Sequence, residues 1–155
     1  MAKSEHTKVG AAMTELVLET FRLNGRLLAV GDKLVKPLGL SSARWQVLGA
    51  IYFAETPQPV AGLARSMGLT RQGVQRIANE LEKDGLVSFE PNPHHKRAQL
   101  IVMTKKGQDA YAAADRNQVK WVNELSEGFA REEIECALKI MEAMRSRIET
   151  TMKDD

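Results

Sequence analysis

The sequence predicts a mainly α-helical fold with one small β-hairpin. Along most of the chain, apolar residues recur at spacings of three and four, as on the buried face of amphipathic helices. Only two stretches, at 86–90 and 98–103, change to short apolar runs typical of strands. With 155 residues, of which 43% are hydrophobic, the chain is long enough to bury a core of its own.

The composition excludes several classes of protein. The chain has 11 glycines, 5 prolines and 1 cysteine, which excludes collagen-like, disordered and disulfide-scaffold proteins. A single cysteine cannot form a disulfide within the chain, which favours a reducing compartment. No apolar run approaches the roughly 20 residues of a membrane span, and the polar segment Met1–Val9 lacks the apolar core of a secretory signal. We therefore expect a cytoplasmic protein without a membrane partner.

The first helix is predicted at about 11–36, where six residues form one stripe at spacings of four and three. The stripe consists of Leu16, Thr20, Leu23, Leu27, Val30 and Leu34. A Pro-x-Gly sequence at 37–39 ends this helix. Ser41 or Ser42 can cap a second helix, which ends at the proline-rich breaker segment 56–59.

Two shorter helices are predicted next, at about 60–67 and 70–84, and glycine at 85 ends the second of them. The two strand-like runs then form the hairpin. Two long helices complete the chain, at about 105–127 and 131–151, because the spacing of three and four resumes there.

The segment from Val60 onward has the spacing of a helix-turn-helix motif. With Val60 as position 1, apolar residues occupy positions 4, 8, 10, 15 and 18, which ties two helices to one core. These residues are Leu63, Met67, Leu69, Val74 and Ile77. The small Ala64 lets the two helices cross closely, and Gly68 supplies the left-handed turn. We therefore expect a recognition helix that starts at Thr70.

The predicted recognition helix carries side chains suited to reading DNA. Thr70 caps it, and Gly73 lets its backbone approach a partner surface. Arginine and glutamine form bidentate hydrogen bonds with guanine and adenine in the major groove. These donors lie away from the core positions and are Arg71, Gln72, Gln75 and Arg76. A solvated helix face is the alternative, but the absence of acidic residues from Thr56 to Asn79 favours DNA.

A hairpin directly after a recognition helix is typical of a winged helix. The loop of this hairpin carries Lys96 and Arg97, placed to contact phosphates or an adjacent minor groove. The segment 91–106 again contains no acidic residue. Because His94 and His95 have no clustered partner residues, we interpret them as polar loop residues and predict no metal site.

These motifs, in this order, resemble the MarR family of bacterial transcriptional regulators across nearly the whole chain. The resemblance rests on four stretches, Trp45–Leu48, Leu63–Thr70, Leu81–Val87 and Leu100–Gly107. The third stretch is common to many winged helices, but its combination with the others is much more specific. The resemblance implies a homodimer whose terminal helices interleave and whose two wings straddle a palindromic operator. It also implies repression that a small phenolic or other aromatic ligand relieves.

The wing departs from the family pattern at one point. The family usually carries an aspartate shortly before the wing arginine, and the two brace each other. Here His94 and His95 stand where that acid is expected, while Arg97 matches the arginine. The orientation of Arg97 therefore cannot be carried over from the family.

We predict a winged helix-turn-helix module at 41–104 and a helical dimerisation frame made of 10–37 and 105–152. The apolar stripes of the terminal helices are separated in sequence by the whole DNA-binding module, so that a monomer would expose at least one of them to water. The expected partners are a double-stranded DNA operator, a second copy of the chain and a small-molecule effector. No cofactor is expected.

Three residues are candidates for contact with an effector. Trp45 lies close in sequence to the junction of frame and module, where the resemblance implies an effector pocket, and Arg22 and Arg44 could neutralise an acidic effector such as an aromatic acid. Core packing of Trp45 and surface exposure of the arginines are the alternatives. We interpret Cys136 as a helix-packing residue, because the neighbouring glutamates oppose the thiolate that a redox sensor needs.

The sequence contains no catalytic constellation. It has no G-x-S-x-G motif, no glycine-rich phosphate loop and no spaced Cys/His metal ligands. We therefore predict a DNA-binding transcriptional regulator, in the form of a ligand-released repressor, and no enzyme. The alternative is a winged helix that binds protein without DNA, for which an apolar or acidic recognition helix would be expected.

Overall fold

The computed structural model of the protein describes residues 6–152, and it confirms the predicted fold class. The described residues are mostly helical, with a small antiparallel sheet. The elements in chain order are α1 (Lys8–Val35), a 3-10 helix (Lys36–Leu38), α2 (Ser42–Phe53), β1 (Gln58–Pro59), α3 (Val60–Met67), α4 (Arg71–Lys83), β2 (Val87–Glu90), β3 (Leu100–Met103), α5 (Lys105–Leu125) and α6 (Arg131–Thr151). The first five residues of the polar segment Met1–Val9 lie outside the described residues. No helix within 6–152 has the length and apolar character needed to cross a membrane.

The described residues group into two compact units. The first ends at Gln118 and the second begins at Val119, so that α5 contributes to both. The core of the first unit is formed by α2, α3, α4 and the sheet, with contributions from the end of α1 and from α5. Its largest fully buried side chains are Val35, Val47, Leu48, Leu63, Val74, Leu81, Val87 and Ile101. In the second unit, by contrast, α6 has no buried residue.

The helix-turn-helix spacing predicted part of this core. Leu63, Val74 and Ile77 are buried, and Met67 packs against them. Leu69 was expected in the same set, but that prediction is wrong, because half of its surface is exposed. Leu69 lies in the turn that follows Gly68, where the backbone has left α3 and the side chain no longer follows the helical period.

The sheet has three strands where the sequence predicted two. β2 and β3 form the expected hairpin, and β1 pairs with the other edge of β3, with Gln58 opposite Ile101. The segment 56–59 was interpreted only as a breaker. A strand of two residues shows no alternation, and Pro59 is tolerated because β1 is an edge strand.

The start of α5 packs closely on the turn between α4 and β2. The Thr104 hydroxyl donates to the carbonyl of Gly85 at 2.7 Å and accepts from the Gly107 amide at 3.1 Å. A Cβ atom at position 107 would lie 2.0 Å from the carbonyl oxygen of Leu86, so that only glycine permits this approach. The turn that joins α4 to the wing is thereby attached to α5.

The exposure of Cys136 differs from the expectation that this residue packs against a helix. The residue lies on α6 and is exposed. Ala130 directly precedes this helix, and its amide donates to the Glu133 carboxylate at 2.9 Å, so that this part of the glutamate cluster serves the helix terminus.

Candidate nucleic-acid interface and ligand cavity

Helix α4 is anchored to the core along one face. Thr70 caps it, because its hydroxyl oxygen accepts from the Gly73 amide at 3.1 Å. A Cβ atom at position 73 would lie 3.0 Å from that oxygen, so that the glycine leaves room for the cap. The anchoring face contains four buried residues, namely Val74, Ile77, Ala78 and Leu81. The burial of these side chains fixes the direction in which the polar face points.

The polar face of α4 consists of two rows. Arg71 and Gln75, one turn apart, border a groove that the wing closes on its other side. Gln72 and Arg76 do not line this groove; both are exposed. The four donors predicted from the sequence therefore all lie away from the core, but they face two directions.

Two of these donors have partners on the same helix. The Gln75 side-chain amide donates to Asn79 at 2.8 Å, and the Arg76 guanidinium forms an ion pair with Glu80 at 2.8 Å. Both pairs join side chains one turn apart. Since the Arg76–Glu80 pair is exposed, it holds the arginine only weakly.

The groove between α4 and the wing has a volume of about 680 Å³. Arg71 and Gln75 lie on its α4 side, while His95 and Arg97 lie on its wing side. Glu82, three turns after the cap of α4, adds an acidic group that the basic sequence windows did not contain. The remaining lining residues are Pro59, Val60, Ala61, Asn79, Phe89, Ala98 and Gln99.

The wing loop is organised by Asn92. Its side-chain amide donates to the Ala98 carbonyl at 2.8 Å, and its side-chain oxygen accepts from the His94 amide at 2.9 Å. Asn92 thus closes the loop beneath Lys96 and Arg97, which are both exposed. The sequence analysis missed this residue, although an asparagine followed by proline in a turn is a recognisable signal.

Two basic residues of the second acid-free window are used locally. Lys105 pairs with Asp109 at 2.5 Å, and the Lys106 ammonium donates to the Asp84 carbonyl at 2.7 Å. Lys106 thereby binds the C-terminal end of α4. Of the basic side chains in this window, Lys96 and Arg97 are the ones without such a partner among the described residues.

A second concave site lies between α2 and the first half of α5. It has a volume of about 300 Å³ and contains Trp45, Phe53 and Tyr111. The other lining residues are Gln46, Gly49, Asp115 and Gln118. The Tyr111 ring stacks on Tyr52 with centroids 4.7 Å apart and meets Phe53 edge-on at 6.4 Å. Burial raises the pKa of the Tyr111 hydroxyl, and the negative charges of Asp115 and Tyr52 raise it further.

Comparison with known proteins identifies the family. The MarR family model matches residues 38–98, which include α2, the helix-turn-helix and most of the wing. The chain belongs to the MarR family. It is a winged-helix, DNA-binding transcription regulator.

Three relatives of this MarR family chain illustrate the range of similarity. It is 35% identical over 115 residues to an uncharacterised protein of Mycobacterium tuberculosis, covering 74% of this chain and 79% of that protein. The crystal structure of the transcriptional regulator BldR from Sulfolobus solfataricus shares the fold with a TM-score of 0.80 at 21% identity, covering 91% of this chain and 99% of that one. The crystal structure of CouR from Rhodococcus jostii, bound to p-coumaroyl-CoA, has a TM-score of 0.75 at 22% identity, covering 83% and 90%.

The three residues that the sequence singled out for an effector of this MarR family regulator do not meet. Trp45 lines the cavity, but Arg22 and Arg44 do not. Arg22 pairs with Glu19 on α1 at 3.1 Å. Arg44 is mostly buried, forms an ion pair with Asp84 and donates to the Gly39 carbonyl at 3.2 Å. It connects α2 to the end of α4.

The aromatic partners of Trp45 escaped the sequence analysis. Tyr111 was not singled out from the sequence, although positions 111, 114 and 118 follow the helical spacing of three and four. Asp115 and Gln118, which lie on the same helix, were not singled out either. Only the packing of α2 beside α5 brings these residues into one cavity.

Proposed function

We propose that this regulator binds a palindromic operator as a homodimer, represses transcription there, and is released when a small ligand occupies the Trp45 cavity. The observation that carries the DNA part is the groove where Arg71 and Gln75 of α4 meet Arg97 of the wing. A helix anchored to the core presents hydrogen-bond donors at one wall of this groove, and the exposed wing loop presents a cation at the other.

The geometry supports a division of tasks on DNA. α4 enters the major groove, where Gln75 and Arg76 read base edges. Arg71, in the first turn, binds at the entrance of the groove, and Gln72 contacts the flanking phosphates. Thr70 and Gly73 form the capped start of the helix, and the positive end of the helix dipole favours a phosphate there. Lys96 and Arg97 then contact the adjacent backbone and minor groove.

Exposed apolar side chains support a homodimer. On α1 these are Val9, Met13, Leu18, Phe21, Leu23, Leu27 and Leu28. On α6 they are Ile134, Leu138, Ile140, Met141 and Ile148. Soluble monomers rarely expose contiguous apolar surface of this kind, because its contact with water is unfavourable. A second copy of the same chain would remove these side chains from water.

Dimerisation determines the form of the operator. A two-fold symmetric dimer presents two identical recognition helices, so that its site is pseudo-palindromic, with half-site centres about one helical turn apart. A dimer seated there competes with the transcription machinery for the same DNA, which accounts for repression. A ligand that binds a different spacing of the two helices more tightly would release the DNA.

Gel shift with the DNA upstream of the gene tests the DNA part. We expect one specific complex that survives an excess of random competitor DNA, and sedimentation should give a dimer at micromolar concentration. Transcription from that promoter in vitro should fall when the protein is added. A stable monomer, or complexes that random DNA displaces as readily as operator DNA, would contradict the proposal, and increased transcription would make the protein an activator.

A further inference from the structure

The Trp45 cavity, which was expected to bind an acidic effector, is lined by an acidic residue and by no basic one. Asp115 is its one acidic lining residue, and no lysine or arginine lines it. Within residues 6–152, Asp115 takes part in no ion pair. The two arginines that could have neutralised an acidic ligand are engaged elsewhere, Arg22 with Glu19 and Arg44 with Asp84.

The rest of the cavity is aromatic. Trp45, Phe53 and Tyr111 contribute aromatic rings, whose faces are electronegative, and the Tyr52 ring stacks on that of Tyr111. Cations bind the faces of such rings within about 6 Å of the centroid, and tryptophan binds them best. A carboxylate would meet the same ring faces unfavourably. Gln46 and Gln118 add neutral groups that can hydrogen-bond either kind of ligand.

The raised pKa of Tyr111 agrees with a cavity that disfavours negative charge. Its pKa is raised by burial and, after that, by the charge of Asp115, so that the cavity opposes the formation of a second negative charge. A bound carboxylate would face the same repulsion from Asp115. A bound ammonium group would relieve it.

We propose that this cavity selects aromatic ammonium cations over aromatic carboxylates, with the ammonium group against Asp115 and the ring among Trp45, Phe53 and Tyr111. This inference rests on the proposed function, in which the cavity receives the regulatory ligand. The volume of about 300 Å³ suits a ligand of one or two rings. The regulator would therefore respond to cationic aromatic compounds, and aromatic acids would be poor effectors.

Three probes of nearly equal size and different charge test the selectivity. They are phenethylammonium, 2-phenylethanol and phenylacetate, titrated into the dimer while the fluorescence of Trp45 is followed. Because the chain has two tryptophans, a Trp121→Phe variant isolates the signal. We expect the dissociation constant of the cation to be about tenfold lower than that of phenylacetate, with the alcohol between them.

Two variants separate the charge from the shape of the cavity. Asp115→Asn should remove most of the difference in affinity between the cation and the alcohol and leave only the part due to the rings, while the affinity of the alcohol itself changes less than about twofold. Phe53→Leu should weaken the cation more than the alcohol, since it removes one ring face. Asp109→Asn is the matched control, because Asp109 lies on the same helix but does not line the cavity, and it should keep the selectivity.

The outcomes distinguish this inference from the proposed function. Tighter binding of phenylacetate, or a cation preference that is undiminished in Asp115→Asn, would overturn the inference. If none of the probes perturbs Trp45, both the selectivity and the effector role of the cavity fail, while the gel shift still decides on operator binding. If the cation binds with the expected selectivity but leaves DNA affinity unchanged, the selectivity stands and ligand release fails.

Discussion

Helix α4 and the wing loop carry similar basic side chains, but the structure holds them in different ways. Buried residues along one face of α4, such as Val74 and Leu81, fix its orientation against the core. The wing residues 93–97 are all exposed, and the loop is closed mainly by Asn92. Base reading needs fixed directions, whereas contact with phosphates tolerates movement. On the proposed function, we therefore expect basic side chains to serve specificity on α4 and general affinity on the wing.

The largest effect is expected from removing the support of α4. Leu81→Ala deletes a fully buried side chain, which should lower the free energy of unfolding by about 2–5 kcal/mol. Pro93→Ala in the exposed wing is the matched control and should change it by less than about 0.5 kcal/mol. Urea denaturation measures both, and equal losses for the two variants would abolish the contrast between these regions.

The next effect concerns discrimination between sequences. Gln75→Ala or Arg76→Ala should cost about 1–3 kcal/mol at the operator and reduce the preference over random DNA. Arg76 must first leave Glu80, but an exposed pair of this kind costs only about 0.3–0.5 kcal/mol to break. Gel shifts with both DNAs measure the change, with Gln108→Ala on α5 as the control. If operator and random DNA weaken equally, these side chains contact phosphates.

A smaller and less selective effect is expected at the wing. Lys96→Ala should weaken binding to all sequences and reduce the slope of affinity against salt concentration by about one. Arg97→Ala should weaken binding most at operators with A·T-rich flanks, since a narrow minor groove attracts arginine. Salt titrations with two flanking sequences measure this. If the Arg97→Ala variant binds DNA with either flanking sequence as tightly as the wild type does, the wing stays outside the minor groove.

The smallest effect is expected from loosening the wing without changing its charge. Asn92→Ala removes the two hydrogen bonds that close the loop, so that Lys96 and Arg97 must be ordered when DNA binds. We expect operator affinity to fall by less than about 1.5 kcal/mol, with the salt slope retained. A loss larger than that of Arg97→Ala would mean that Asn92 itself contacts DNA.

The local elements of this protein were predictable because their signals are local. Helical spacing and Thr70 indicated α4, and the start of the wing followed from glycine at 85. The family resemblance added the expected partner, DNA. Each of these conclusions depends on residues a few positions apart, where backbone geometry and hydrophobic period act directly.

Tertiary structure decided the features that join distant segments. It paired β1 with β3, left Leu69 exposed in its turn, and gave Arg44 a structural partner in Asp84. It also brought Trp45 beside Tyr111 and Asp115, some 66 and 70 residues further along the chain (111 − 45 and 115 − 45). The sequence by itself determined which side chains could bind DNA or a ring. Which of them share a site depends on how α2 packs against α5, and contacts over such separations leave no periodic signal.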